Sequence, residues 1–301
     1  MSGALWALAA GAGFGLFQAL NRQAVRGMDV YLATFVQLLV SSIVLVGISL
    51  ATEDMRLVLS APVTAILSFV AAGFFHFLIG WTLLNASQKR IGAARTSPLI
   101  ATVPLFGAIV AAVALREFPT WLELLGIGIM VLGAYLVSKE SETPLHTTNS
   151  TQRFAALLRA SWMGLAAAFF WALSPVFIRV GLQGLPSPML GVTIGVTASA
   201  ISYAIILLLQ RERWFGVPIT HGAWTFKLLA GLLVGLSTWM RWVALDLAPV
   251  AVVLALTMIS SPLVIVLAPW ISGKHLERVT KMLWIGTLLI LGGALLLVLI
   301  P

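Results

Sequence analysis

Arg241 lies in the stretch STWMRWVALDLA, between Trp239 and Trp242, with Asp246 as the nearest acid in sequence. A guanidinium in such apolar company can hold a carboxylate or phosphate through paired hydrogen bonds, or it can snorkel to the near face beside Asp246. His76, in GFFHFLIGW, offers a neutral imidazole that can donate to a bound molecule or relay a proton, or that simply ties two helices together. Gln18, Asn21, Gln37, Asn85 and Gln88 supply amides with the same two uses, lining a wet cavity or bonding helix to helix. Arg95 is either an interfacial charge or a gate cation at the mouth of a cavity. Trp171 and Trp239 fit apolar walls, whereas Trp6, Trp121, Trp162 and Trp284 fit membrane interfaces.

Other chemistry lacks its residues. There is no cysteine, so no thiolate nucleophile and no thiolate metal site. His76, His146, His221 and His275 are scattered without ligand spacing. Glu53, Asp54, Glu117, Glu123 and Asp246 all fall at the ends of apolar runs, which removes both a carboxylate proton relay and a paired-acid active site. No glycine-rich phosphate loop with lysine is present, so the chain does not drive transport with ATP by itself. These absences predict a protein that is not an enzyme and carries no cofactor or metal.

The elements that must position these side chains are membrane helices. The 301 residues are 60% hydrophobic and 9% charged, and the mean hydropathy is +1.04, which no water-facing surface tolerates. Apolar runs fall at 4–22, 31–51, 63–85, 95–115, 120–138, 162–182, 189–210, 226–247, 249–270 and 282–300. Each is continuous rather than alternating, so helices are expected and a barrel is not. The first run follows only Met1 to Gly3, without a basic leader, and reads as a retained helix. The expected fold class is therefore an all-α membrane protein of ten transmembrane helices, multi-pass in the plasma (inner) membrane, with the lipid bilayer as its solvent.

An ionisable group at bilayer depth costs at least about 2.5 kcal/mol, so each one implies a cavity, a partner or a route to the surface. Pro98, Pro104, Pro175 and Pro262 each remove a backbone donor inside a run, leaving a carbonyl free and a point of flexure. GVTIG from Gly191 and GLLVG from Gly231 are close-packing signals.

The polar stretch KESETPLHTTNSTQR within 139–160 has the composition of a linker and divides the chain into 1–138 and 161–301. The halves match at offsets of 157 to 160 residues, pairing Gly27 with Gly184, Gly73 with Gly231, Trp81 with Trp239, Ala86 with Ala244, Pro104 with Pro262, Gly126 with Gly286 and Gly133 with Gly293. A duplicated unit of five spans is odd, so its second copy must enter the bilayer from the opposite face, giving two inverted repeats.

Two tandem segments that open on WALAAGAGFGLFQALNR and WMGLAAAFFWALSPVFIR, reach TSPLIATVPLFG and TMISSPLVIV, and close on LLGIGIMVLGAYLV and LWIGTLLILGGALLLV resemble the drug/metabolite transporter superfamily, in its ten-helix EamA-type branch. The resemblance implies alternating access, efflux of a small polar or amphipathic metabolite, and a central cavity lined mainly by spans 1, 3, 4, 6, 8 and 9. It favours Gln18 and Asn85 as a substrate-binding pair, which joins Arg241, His76, Trp239 and Trp171 as the binding candidates read from the residues themselves, with Arg95, Pro104 and Pro262 as the gating candidates. A flippase-like route for a lipid-linked substrate is the alternative. The family's Glu after the fourth span of each repeat is present as Glu117, but the aligned position in the second copy is His275, with Glu277 two residues on.

With ten spans, both termini share a face with Arg56, Arg116, Arg179 and Arg241, four basic residues at most. The other face collects fourteen: Arg22, Arg26, Lys89, Arg90, Arg95, Lys139, Arg153, Arg159, Arg211, Arg213, Lys227, Lys274, Arg278 and Lys281. The positive-inside rule then puts the linker in the cytoplasm and both termini outside. The same distribution assigns the net charge of +8 to topology and not to nucleic acid, which is no expected partner. A small-molecule substrate is expected as the partner, and a homodimer is compatible with the architecture.

Overall fold

The computed structural model describes residues 2–115, 120–140, 150–209 and 219–299. The helices are α1 Gly3–Arg26, α2 Val30–Thr52, the short α3 Arg56–Ser60, α4 Val63–Gly73, α5 Trp81–Ile91, α6 Ala93–Ile100, α7 Val103–Leu115, α8 Trp121–Glu140, α9 Ser150–Gly184, α10 Pro188–Leu209, α11 His221–Leu247, α12 Val250–Thr257, α13 Ser260–Ser272 and α14 Lys281–Leu299. A π-helical stretch, Phe74–Gly80, joins α4 to α5 without interruption.

Eight of the continuous stretches are long and apolar enough to cross a membrane, and the apolar parts of α8 and α14 are shorter, at Leu124–Lys139 and Lys281–Leu296. The expected polar linker at 139–160 is narrower than its composition implied: α8 runs to Glu140 and α9 starts at Ser150, while 141–149, with His146, lies outside the described residues. Arg116 and Glu117 also lie outside them.

The halves interlock through their first helices. In α1, Gly3 faces Ala248, Gly13 faces Ser237 and Gly27 faces Ala223, so α1 runs antiparallel to α11. In α9, Gly164 faces Ser87, Gly181 faces Phe69 and Gly184 faces Ala65, so α9 runs antiparallel to the α4–α5 rod. Without a hydrophobic drive between helices in lipid, such small-residue contacts supply the packing energy. A Cβ on Gly73 would stand 2.3 Å from the carbonyl oxygen of Gly195, and one on Gly231 2.8 Å from the Cβ of Val40. The two glycine motifs therefore act as close-approach surfaces, as their spacing suggested. Hydroxyl pairs add to the seam between α2 and α10: Ser42 to Thr197 and Ser49 to Thr193, each at 2.8 Å.

Two of the apolar runs are broken near their middles. The fourth breaks between α6 and α7 at Ala101–Thr102, and the ninth between α12 and α13 at Met258–Ile259, 157 residues later. Pro104 and Pro262 lie in the first turns of α7 and α13, where the missing N–H is one that would have no intrahelical partner anyway. They start the second half-helix and do not kink a continuous one.

Candidate functional site

The two breaks face each other across a central cavity of about 20 Å³. Ile100 and Val103 line it from one break and Thr257, Met258 and Ser260 from the other, with Phe14 and Gln18 from α1, Trp171 from α9, His76 from the π-helical stretch and Arg241 from α11. Phe14 and Trp171, Ile100 and Thr257, and Val103 and Ser260 are each 157 residues apart, so equivalent positions of the two halves build opposite walls.

The wider π-helical turn brings His76 into this wall. Its ring stacks on Trp171 with centroids 4.9 Å apart, its Nδ1 is 3.0 Å from Ser174 Oγ, and its carbonyl accepts from Trp171 Nε1 at 3.0 Å. Arg241 Nη1 approaches His76 Nδ1 at 3.4 Å, so the nitrogen that meets the guanidinium serves as the acceptor. Arg241 is buried, and Asp246, its nearest acid in sequence, is exposed to the outside of the bundle. Snorkelling is thereby ruled out. The guanidinium lines the cavity, and Gln18 Oε1, a buried acceptor with no described partner, faces the same space.

The other sequence candidates lie elsewhere. Asn85 does not share the cavity with Gln18; its Nδ2 donates to Thr34 Oγ1 at 2.8 Å and its Oδ1 accepts from Asn21 Nδ2 at 2.7 Å. Both Asn85 and Gln18 are in the helices expected, but the Asn85 side chain meets Asn21 and Thr34 and not the cavity lining. Trp239 packs edge-on against Trp6 at 5.4 Å, outside the cavity lining. Arg95 is half-buried at the start of α6 and donates to Ile91 O at 3.5 Å. Pro104 and Pro262 border the breaks without lining the cavity.

Three residues that matter were read from sequence as loop charges or left aside. Lys227 and Arg22, counted among the charges of the basic face, are buried. Lys227 Nζ donates to Asn21 Oδ1 at 2.5 Å and to Gln37 Oε1 at 2.6 Å, and Asn21 Nδ2 in turn reaches Gln88 Oε1 at 2.7 Å. Arg22 Nε donates to Glu277 Oε1 at 2.8 Å, and its Nη1 to the carbonyls of Gln88 and Lys89. Removing both from the loop tally leaves the charge bias in the same direction.

Glu277 also accepts the backbone N–H of Ala93 at 3.1 Å and of Ala94 at 3.0 Å, capping α6 where Gly92, at φ +91°, turns the chain. A Cβ on Gly92 would come within 2.7 Å of that carboxylate. The sequence carried a signal for this role. At the 160-residue offset that relates Gly126 to Gly286, Glu117 corresponds to Glu277 and not to His275. At the 157-residue offset that relates Gly27 to Gly184, Arg22 corresponds to Arg179, whose Nη2 donates to Ala248 O at 2.6 Å, at the end of α11 as Arg22 does at the end of α5.

Among the described residues no group of His, Asp and Glu has the arrangement of a metal site. The sequence profile of the EamA-like transporter family matches residues 1–139 and 158–299. A probable terminal-alkyne amino-acid exporter of Streptantibioticus cattleyicolor is 30% identical over 107 residues. That match spans 34% of this chain and 32% of the exporter. A crystal structure of a protein 17% identical in sequence superposes with a TM-score of 0.65, covering 97% of this chain and 96% of the other, which shows a shared fold. With the profile matched once in each half, at residues 1–139 and 158–299, the chain belongs to the EamA-like transporter family.

Proposed function

We propose that this chain is a secondary transporter of ten spans in two inverted repeats that exports a small amino-acid-like metabolite by alternating access. The observation that carries this reading is Arg241, a cation buried in the wall of a central cavity with no carboxylate beside it among the described residues. A permanent guanidinium at bilayer depth is costly unless a charge of opposite sign joins it, and a substrate carboxylate does so bidentately. Gln18 Oε1 supplies an acceptor for an ammonium on the same molecule, while Phe14, Ile100, Val103, Trp171 and Met258 receive an apolar side chain. The name of the Streptantibioticus relative supports both the amino-acid class and the outward direction.

Transport follows from the broken helices. A cavity of about 20 Å³ holds about one water, so the walls must part for a substrate to enter. The breaks at Ala101–Thr102 and Met258–Ile259 are the places where half-helices can swing with little cost in backbone hydrogen bonds. On the linker side Arg22 of the first half and Glu277 of the second hold the bundle together, which makes this pair the linker-side gate. The basic bias supports a cytoplasmic linker and external termini.

Counterflow in proteoliposomes tests the reading. Labelled apolar amino acids should exchange, whereas the corresponding amines, which lack the carboxylate, should not. Exchange of the amines at the same rate would remove Arg241 from substrate recognition.

A further inference from the structure

Lys227 has no part in the cavity, yet it is among the most completely buried charges of the molecule, with 0% of its surface exposed. Among the described residues its ammonium meets the amide oxygens of Asn21 and Gln37 and no other group. No carboxylate among the described residues pairs with Lys227. The surrounding amides are short of acceptors as well: Gln37 Nε2 and Gln88 Nε2 are buried donors without a described partner. A third ammonium proton and two amide groups are thus left over in one cluster, all donors. A tie between helices needs no charge, because neutral amides serve at far smaller cost in lipid.

We infer that Lys227, with Gln37 and Gln88, forms a second binding site for the substrate's carboxylate, on the linker side of the central cavity. The inference rests on the reading of that cavity as a carboxylate site. Lys227 and Arg241 are fourteen residues apart on α11, which sets them about 21 Å apart along the axis and within about 40° of the same face. On the facing helix, Gln18 and Asn21 are only three residues, about one turn, apart, so the long side chains of Arg241 and Lys227 reach from their distant anchor points to neighbouring levels of α1. α1 and α11 therefore carry one polar step each at the cavity and one each at the Lys227 cluster. In the closed arrangement Asn21 Oδ1 and Gln37 Oε1 occupy the places of two carboxylate oxygens. When the Arg22–Glu277 pair opens, a carboxylate replaces them and draws in the unused N–H groups of Gln37 and Gln88.

The test is the thermal midpoint of the full-length protein in detergent, titrated with sodium propionate against sodium methanesulfonate at constant ionic strength, with a sodium chloride arm. Ligand that binds the folded state raises the midpoint. Wild type is expected to respond to propionate, Arg241→Gln and Lys227→Met each to keep part of the response, and the double variant to lose it. If Arg241→Gln abolishes the response and Lys227→Met retains all of it, the Lys227 site is overturned while the cavity reading stands. If Lys227→Met abolishes it and Arg241→Gln retains all of it, the cavity reading falls and the Lys227 site stands. An equal response to chloride overturns a carboxylate site in favour of a general anion site, and no response in wild type overturns both. Should Lys227→Met not fold, Gln88→Met provides the same decision: it is expected to weaken the response remaining in Arg241→Gln about tenfold, and an unchanged response overturns the proposal.

Discussion

Arg22 and Glu277, 255 residues apart in sequence and one from each half of the chain, stand 2.8 Å apart in a buried ion pair whose carboxylate also caps the first turn of α6. One side chain therefore fixes three things, the end of α1, the start of α6 and the turn at Gly92. Glu277→Ala leaves a buried guanidinium without its partner and two N–H groups uncapped, and should destabilise the protein by about 3–5 kcal/mol. Thermal unfolding in detergent measures it. Arg22→Met together with Glu277→Gln should recover part of the loss, because no charge is then stranded; a double variant no better than Glu277→Ala would show that the pair is not the source.

The same pair should govern access. The chain has no cysteine, so a single cysteine in place of Ser260 at the cavity reports which side is open. A membrane-impermeant thiol reagent applied from the linker side should label it slowly in wild type and at least about tenfold faster in Glu277→Gln, where a charge-assisted pair of about 1.5–3 kcal/mol is lost. Equal rates would place the closure elsewhere.

Much of this was legible in the residues. The apolar runs, the duplication and the close-packed glycines follow from composition and spacing, which the bilayer constrains strictly. Arg241, His76, Gln18 and Trp171 were recognisable because a polar or aromatic group deep in an apolar run has few places to go. Lys227 was not. It stands less than two turns inside α11, close enough to the end for a lysine to snorkel, and only the three-dimensional arrangement shows α1, α2 and α5 converging on it with amides. Asn85 went astray for a related reason: a span is known from hydropathy, but which layer a side chain reaches depends on helix rotation, here altered by the π-helical stretch at Phe74–Gly80. Glu277 was obscured by a shift of the repeat offset from 158 to 160 between the ninth and tenth runs.

Close packing at Gly73 offers a test of the seam between α4 and α10. Gly73→Ala sets a methyl 2.3 Å from Gly195 O, backbone against backbone, and should cost about 1–3 kcal/mol, seen as a lower unfolding midpoint. Gly47→Ala, with nothing within 4 Å, is the control and should be neutral or slightly stabilising. Equal midpoints for the two variants would mean that the helices are free to separate.

Gln18→Leu separates the two ends of the substrate. It removes the free acceptor in the cavity and leaves Arg241 in place, so counterflow of an amino acid should fall by about tenfold while its des-amino carboxylic acid is affected little. A parallel loss for both compounds would make Gln18 a packing residue.

The central claim is that Arg241 receives a substrate carboxylate, and counterflow of a labelled apolar amino acid by wild type and Arg241→Gln in proteoliposomes tests it most directly. With both proteins folded to the same thermal midpoint before reconstitution, the variant should exchange at least about tenfold more slowly, the loss of a charge-assisted pair. Exchange at the wild-type rate would contradict the account.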